Sequence, residues 1–123
     1  MKVYKKLVRD KIPEIIISKG DSAITRILSD EEFSESLKSK LCEEVNEFLS
    51  DGTVEELADI YEVLMAILEH RGISFESFEE LRNKKVLEKG GFSQRIFLDS
   101  VINKSINKLG GNENDTQVSC KNY

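Results

Sequence analysis

Two apolar stripes at helical spacing, joined by four turn-forming residues, constrain this chain more than any other feature. Phe33, Leu37, Leu41, Val45, Phe48 and Leu49 recur mainly at three- and four-residue intervals. Leu57, Ile60, Tyr61, Leu64, Ile67 and Leu68 do the same beyond Ser50-Asp51-Gly52-Thr53. Residues so spaced share one face of an α-helix, and each face must bury itself against something. A turn this short makes each stripe the other's nearest partner, which predicts an antiparallel helix hairpin. The ends of both rods are written locally too. Ser29-Asp30-Glu31-Glu32 has capping-box form, in which hydroxyl and carboxylate satisfy orphan amides reciprocally. Thr53 is placed to cap the second rod and Gly72 to stop it after His70-Arg71.

The flanks carry weaker signals. Ile12, Ile15 and Ile16 predict a short helix capped by Asp10, with Pro13 in its first turn and Gly20 at its stop. The stretch Ala23 to Leu28 fits either an extended segment or a plain connection. A fourth helix is expected from near Ser74, carrying Phe75, Phe78, Leu81 and Val86 before Gly90-Gly91. Phe92 to Leu98 alternates loosely and suits a short strand or an extended arm. From Asn103 onward the chain holds five Asn, Gly110-Gly111 and few large apolar residues, and it reads as a mobile tail. The expected organisation is one all-α domain over 1–102 followed by a polar tail over 103–123, which suits a chain of 123 residues.

Composition narrows the function classes. With a net charge of −5 and a pI near 5.0 the chain repels a phosphate backbone, so general nucleic-acid binding is disfavoured. A small anionic substrate held through a metal stays open. The longest apolar run, Val63 to Leu68, is far short of a membrane span, and the opening residues do not read as a secretory signal. Cys42 and Cys120 supply neither a disulfide framework nor a zinc-ligand spacing. A cytoplasmic protein without membrane association is the expectation.

The chemistry-bearing feature lies on both arms of the hairpin. One arm carries Glu43-Glu44-Val45-Asn46-Glu47 and the other Glu55-Glu56-Leu57-Ala58-Asp59. Residues three apart are neighbours on a helix face, so Glu44 pairs with Glu47 and Glu56 with Asp59. With the turn centred between Asp51 and Gly52, Glu47 and Glu56 are equidistant from it, as are Glu44 and Asp59. Antiparallel packing therefore sets each of those pairs at one level. The levels are separated by ~4.5 Å along helices whose axes lie ~8–10 Å apart. Four inward carboxylates in that arrangement repel one another unless hard cations sit between them. Mg²⁺ suits such oxygen ligands and keeps positions for water and phosphate, with Mn²⁺ as a substitute. Two plainer readings stand beside this one. The glutamates form a solvated acidic face, and Thr53-Val54-Glu55-Glu56 is itself a capping box.

Glu43-Glu44-x-x-Glu47 followed by Glu56-x-x-Asp59 resembles the EExxE…ExxD signature of the all-α nucleoside triphosphate pyrophosphohydrolase superfamily. That group includes MazG, the dimeric dUTPases, dCTP pyrophosphatases and the phosphoribosyl-ATP pyrophosphohydrolases. The opening Tyr4-Lys5-Lys6-Leu7-Val8-Arg9-Asp10-Lys11-Ile12-Pro13-Glu14-Ile15-Ile16 is similar to a MazG-like branch of house-cleaning enzymes. Asn83-x-Lys85-x-x-x-Lys89 and Gly90-Gly91-Phe92 also fit that branch, and the likeness runs from about Tyr4 to Leu98.

The resemblance implies a MazG-like helical bundle completed by a homodimer or homotetramer. It also implies Mg²⁺-dependent cleavage between the α and β phosphates of a nucleoside triphosphate, releasing a monophosphate and pyrophosphate. By motif position Glu44, Glu47, Glu56 and Asp59 become the metal ligands, and Glu43 is a weaker candidate for the group that takes the proton of the attacking water. Lys85 and Lys89, four apart on one helix face, are candidate phosphate donors, joined by Asn83, Arg9 and Lys11, with Arg82 and Arg95 as further basic groups. Two departures matter. The Glu47 to Glu56 gap is shorter than in many members, and Val63 stands where phosphoribosyl-ATP enzymes often carry His. That substrate becomes less favoured. A non-catalytic nucleotide-binding or interaction protein retaining the fold is the alternative. Tyr61 and the phenylalanines, which could stack a base, are read as core by their helical spacing, and His70 as a helix-end charge.

Overall fold

The computed structural model describes residues 1–103. The expected tail beyond Asn103 and Cys120 lie outside the described residues. The order is α1 (Ile12–Ser18), α2 (Asp30–Asp51), α3 (Val54–His70) and α4 (Phe75–Lys89), with no strand among the described residues. The chain divides into two compact units, Met1–Phe78 and Glu79–Tyr123. No described helix is long and apolar enough to cross a membrane.

The start of α2 follows its sequence signals closely. The Glu32 amide donates to Ser29 Oγ at 3.2 Å and the Ser29 amide to Glu32 Oε1 at 3.2 Å, which completes the capping box. Arg26, in the irregular segment before α2, clamps Glu32 with both terminal nitrogens at 3.2 and 2.9 Å. That guanidinium, helped by the Ser29 amide, holds the Glu32 carboxyl down to about 2. At the other end Gly52 takes φ +66° and its amide donates to Phe48 O at 2.7 Å. A side chain at Gly52 would strain this left-handed stop. Thr53 then caps α3, its Oγ1 accepting from the Glu56 amide at 3.5 Å. Ser74 performs the same service for α4 through the Ser77 amide at 3.1 Å.

Two expectations need correcting. Asp10 does not cap α1: the residue before the helix is Lys11, and no side chain caps it. The chain enters α1 through a turn in which the Ile12 amide donates to Arg9 O at 3.0 Å, which already occupies that donor. Phe92 to Leu98 forms no strand: it begins in a turn closed by the Arg95 amide on Phe92 O at 3.1 Å and continues irregularly. An isolated segment without a ladder partner has nowhere to place its backbone hydrogen bonds as a strand.

In the first unit α2 packs on α3. Phe33 and His70, equidistant from the turn, meet edge to face with ring centroids 4.9 Å apart. That contact fixes the antiparallel register at the open end of the hairpin. It also places His70 against an aromatic ring, beyond the helix-end role its position suggests. Leu37, Val63 and Leu68 are the buried apolar side chains, at 2%, 7% and 8% exposure. Val63 is thus a core residue. Leu57 and Tyr61 remain 46% and 53% exposed because apolar residues occupy more of α3's circumference than one partner helix covers.

With so few fully buried side chains, Leu37 carries an unusual share of the stability. Leu37→Ala is expected to cost about 2–5 kcal/mol, read from the urea midpoint followed by circular dichroism at 222 nm. An unchanged midpoint would show that the α2/α3 contact is not the stabilising core.

Candidate functional site

Glu44 is the centre of the acidic cluster. It faces inward from the middle of α2 and is only 6% exposed, the one buried charged residue among those described. Lys40, one turn earlier, reaches Glu44 Oε1 at 3.2 Å and Glu43 Oε2 at 2.7 Å. Burial works against the Lys40 ammonium, but its bonds to Glu43 and Glu44 outweigh it and hold its pKa above the ordinary lysine value. Glu44 Oε2 is buried and has no hydrogen-bond donor. Beside it lies Glu47. The Glu44 carboxylate pushes the Glu47 carboxyl above its usual range, since two neighbouring negative groups accept hydrogen bonds but offer none.

The remaining carboxylates are tied to groups of the chain itself. Lys6, in the N-terminal arm, reaches Glu43 Oε1 at 3.1 Å. Lys40, assisted by Lys6 and opposed by partial burial, holds the Glu43 carboxyl below the usual range. This reduces the basicity that a proton acceptor needs. Thr53 Oγ1 donates to Glu56 Oε2 at 2.6 Å, while Glu56 Oε1 is buried without a donor. Glu56 is therefore both a cap residue and an orphaned oxygen. Arg9 Nη2 donates to Asp59 Oδ1 at 2.6 Å, with both groups partly exposed.

The mirrored register brings the two acidic arms to matching levels, but it does not by itself gather their tips. Among the described residues, no group of three or more His, Cys, Asp or Glu side chains is placed to hold a metal ion. Of the expected ligands, Glu44 and Glu47 are together, whereas Glu56 is turned to its cap and Asp59 to Arg9. The partners are close at hand: the Arg9 guanidinium balances the Asp59 charge, and the cap hydroxyl of Thr53 donates to Glu56. The unsatisfied oxygens of Glu44 and Glu56 are nonetheless the donor type that Mg²⁺ or Mn²⁺ takes, and in that respect the residues fit such an ion.

An open groove runs along the α2 face past Ser39, Cys42, Glu43, Asn46, Glu47, Ser50 and Asp51. Lys11 is exposed just before α1. Asn83, Lys85 and Lys89 lie on α4 in the second unit, where Asn83 Oδ1 accepts from Arg82 Nη2 at 3.5 Å and Arg82 pairs with Glu79 at 2.9 Å. Sequence reasoning missed Lys40 and Lys6. Lys40 was findable, since it stands three and four residues before Glu43 and Glu44. Lys6 was not, because 37 residues separate it from Glu43.

No family model matches the chain, and no solved structure matches it significantly. A stretch of 47 residues is 47% identical to an uncharacterized protein of Mycolicibacterium smegmatis. It covers 38% of this chain and 48% of that protein, so the match spans about half of the relative's length.

Two outcomes follow from the charge pattern. Lys40→Met leaves Glu44 buried without its donor and is expected to cost about 1–3 kcal/mol in urea unfolding, with Lys40→Arg recovering most of it. Glu47 behaves oppositely. A carboxyl whose pKa is raised on folding favours the fold below its unfolded-state value of about 4.3, and that contribution is lost as pH rises through the folded-state value. Glu47→Gln should thus raise the thermal midpoint of the metal-free protein at pH 7 and change it little at pH 4. A lower midpoint at pH 7 would contradict the repulsion between Glu44 and Glu47.

Proposed function

We propose that this chain is a Mg²⁺-dependent nucleoside triphosphate pyrophosphohydrolase of MazG-like type, cleaving the α–β phosphate bond to give a monophosphate and pyrophosphate. Its task in this reading is cytoplasmic house-cleaning of surplus or modified nucleotides. The observation that carries it is the buried Glu44 oxygen without a hydrogen-bond donor, beside the exposed Glu47 carboxyl. Glu56, with its own buried free oxygen, and Asp59 stand at matching levels on α3 by the hairpin register.

In this reading Glu44, Glu47, Glu56 and Asp59 hold the ion, with Mn²⁺ able to replace Mg²⁺. When bound, the metal supplies neutralisation of the triphosphate charge and a lowered pKa for the attacking water. Lys40 orients Glu43 and Glu44 and favours the ionised form of Glu43. Glu43 can accept a proton only after Lys6 and Lys40 loosen their hold on it. Arg9 and Lys11 in the opening segment, and Asn83, Lys85 and Lys89 on α4, are the candidate donors to phosphate and sugar. The half-exposed apolar groups Leu57 and Tyr61, with Leu49 and Val54 beside the turn, support assembly into a homodimer or homotetramer.

A second reading has its own observation. Because Asp59 and Glu56 are already partnered by Arg9 and Thr53, a non-catalytic nucleotide-binding or interaction protein would need no metal at all. Val63, buried where a phosphoribosyl-ATP enzyme often carries His, weighs against that third substrate.

The deciding measurement is pyrophosphate release from a panel of ribo-, deoxy- and modified nucleoside triphosphates with Mg²⁺. Turnover is expected with at least one of them, falling about 100-fold or more in Glu47→Gln and in Asp59→Asn. Silence across the panel would favour the non-catalytic reading, and activity confined to phosphoribosyl-ATP would move the chain to that reaction.

A further inference from the structure

The N-terminal arm puts its cations on the acidic hairpin although 37 and 50 residues separate the partners in sequence. Lys5 adopts φ +47°, a left-handed bend that a lysine holds only at a cost, and the arm turns there. Past the bend, Lys6 reaches Glu43, and three residues later Arg9 reaches Asp59. Tyr4 adds to the ordering, with the Lys2 and Lys6 ammonium groups 5.2 and 5.8 Å from its ring centroid. The two cationic contacts differ in kind. Glu43 keeps a second ammonium, from Lys40, if Lys6 leaves. For Asp59 the Arg9 guanidinium is the ion-pair partner found among the described residues, on a group more than a third exposed.

We propose that Arg9 is an exchangeable counter-ion that shuttles between Asp59 and the triphosphate of a bound nucleotide. This rests on the metal-dependent reading above. A guanidinium at 2.6 Å from Asp59 Oδ1 occupies a carboxylate oxygen that a divalent cation would also claim, so the two compete. Loss of that partner frees a planar fork of donors at the site's edge, where phosphate oxygens are the chemical match. Neither partner is buried, and the exchange needs only rotation of exposed side chains rather than opening of the core. The consequence is linkage. Cation binding at Asp59 raises affinity for the nucleotide through Arg9, and nucleotide raises affinity for the cation by the same factor.

The full chain tests this by calorimetric titration with Mn²⁺ alone, and then with a non-hydrolysable α,β-imido nucleoside triphosphate at saturating Mn²⁺. Arg9→Gln should bind Mn²⁺ about twofold to fivefold more tightly than wild type, because the competitor is gone. It should bind the nucleotide analogue about tenfold or more weakly, because a charge-assisted donor is gone. Arg9→Lys should fall between the two in both titrations. These opposite signs separate exchange from a merely structural arm, whose loss would weaken both ligands together. Unchanged or weaker Mn²⁺ binding in Arg9→Gln, with wild-type helicity retained, overturns the exchange while the metal site stands. Failure of wild type to bind Mn²⁺, or identical Mn²⁺ affinity in Asp59→Asn, overturns the metal reading itself and the exchange with it.

Discussion

The structure depends on a two-residue turn that leaves α2 and α3 one way to pack. Gly52 ends α2 in a left-handed conformation, and Thr53 starts α3 at once. Helices joined so closely run antiparallel, and their register follows from counting outward from the turn. The Phe33–His70 ring contact at the far end obeys that count. Everything chemical in the first unit inherits this register, since it decides which glutamate of α2 stands level with which acid of α3.

A second constraint acts within that frame. Burying Glu44 while leaving one of its oxygens without a donor runs against the ordinary accounting of protein interiors, where buried polar atoms are paired. The surroundings respond in a graded way. Lys40 takes one Glu44 oxygen, Lys6 and Lys40 share Glu43, Thr53 takes one Glu56 oxygen and Arg9 takes Asp59. Glu47, with the Glu44 carboxylate alongside, has a raised pKa. The acidic cluster is thus partly neutralised from within and partly in deficit. The uncompensated repulsion lies between Glu44 and Glu47.

Local chemistry made much of the fold readable. The capping box at Ser29 and Glu32, the Gly52 stop and the Thr53 cap each act over a few residues and are found where their spacing places them, whereas the apolar stripes are buried only in part: Leu49, Leu57 and Tyr61, the last read as core by its spacing, stay exposed. The errors share one cause. Asp10 has the right chemistry for a cap, but a backbone turn from Arg9 to Ile12 already uses the donor it would have satisfied. The alternation from Phe92 to Leu98 left a strand or an extended arm open, and the strand is excluded because it needs a neighbour and none pairs with it among the described residues. At the acidic cluster, spacing placed Glu44 beside Glu47 but gave no account of the cations that hold Asp59 and Glu43.

By itself the amino-acid order determined the helices, their caps and the level of each acid along the hairpin, because those properties depend on contacts three or four residues apart and on the length of one turn. Only the tertiary structure decided that Glu44 is buried with a free oxygen, that Lys40 bridges it to Glu43, and that Arg9 folds back onto Asp59. Those outcomes turn on competition among distant charges for a limited number of carboxylate oxygens. Coulombic attraction depends on distance in space, and a separation of 50 residues along the chain carries no trace of a contact at 2.6 Å.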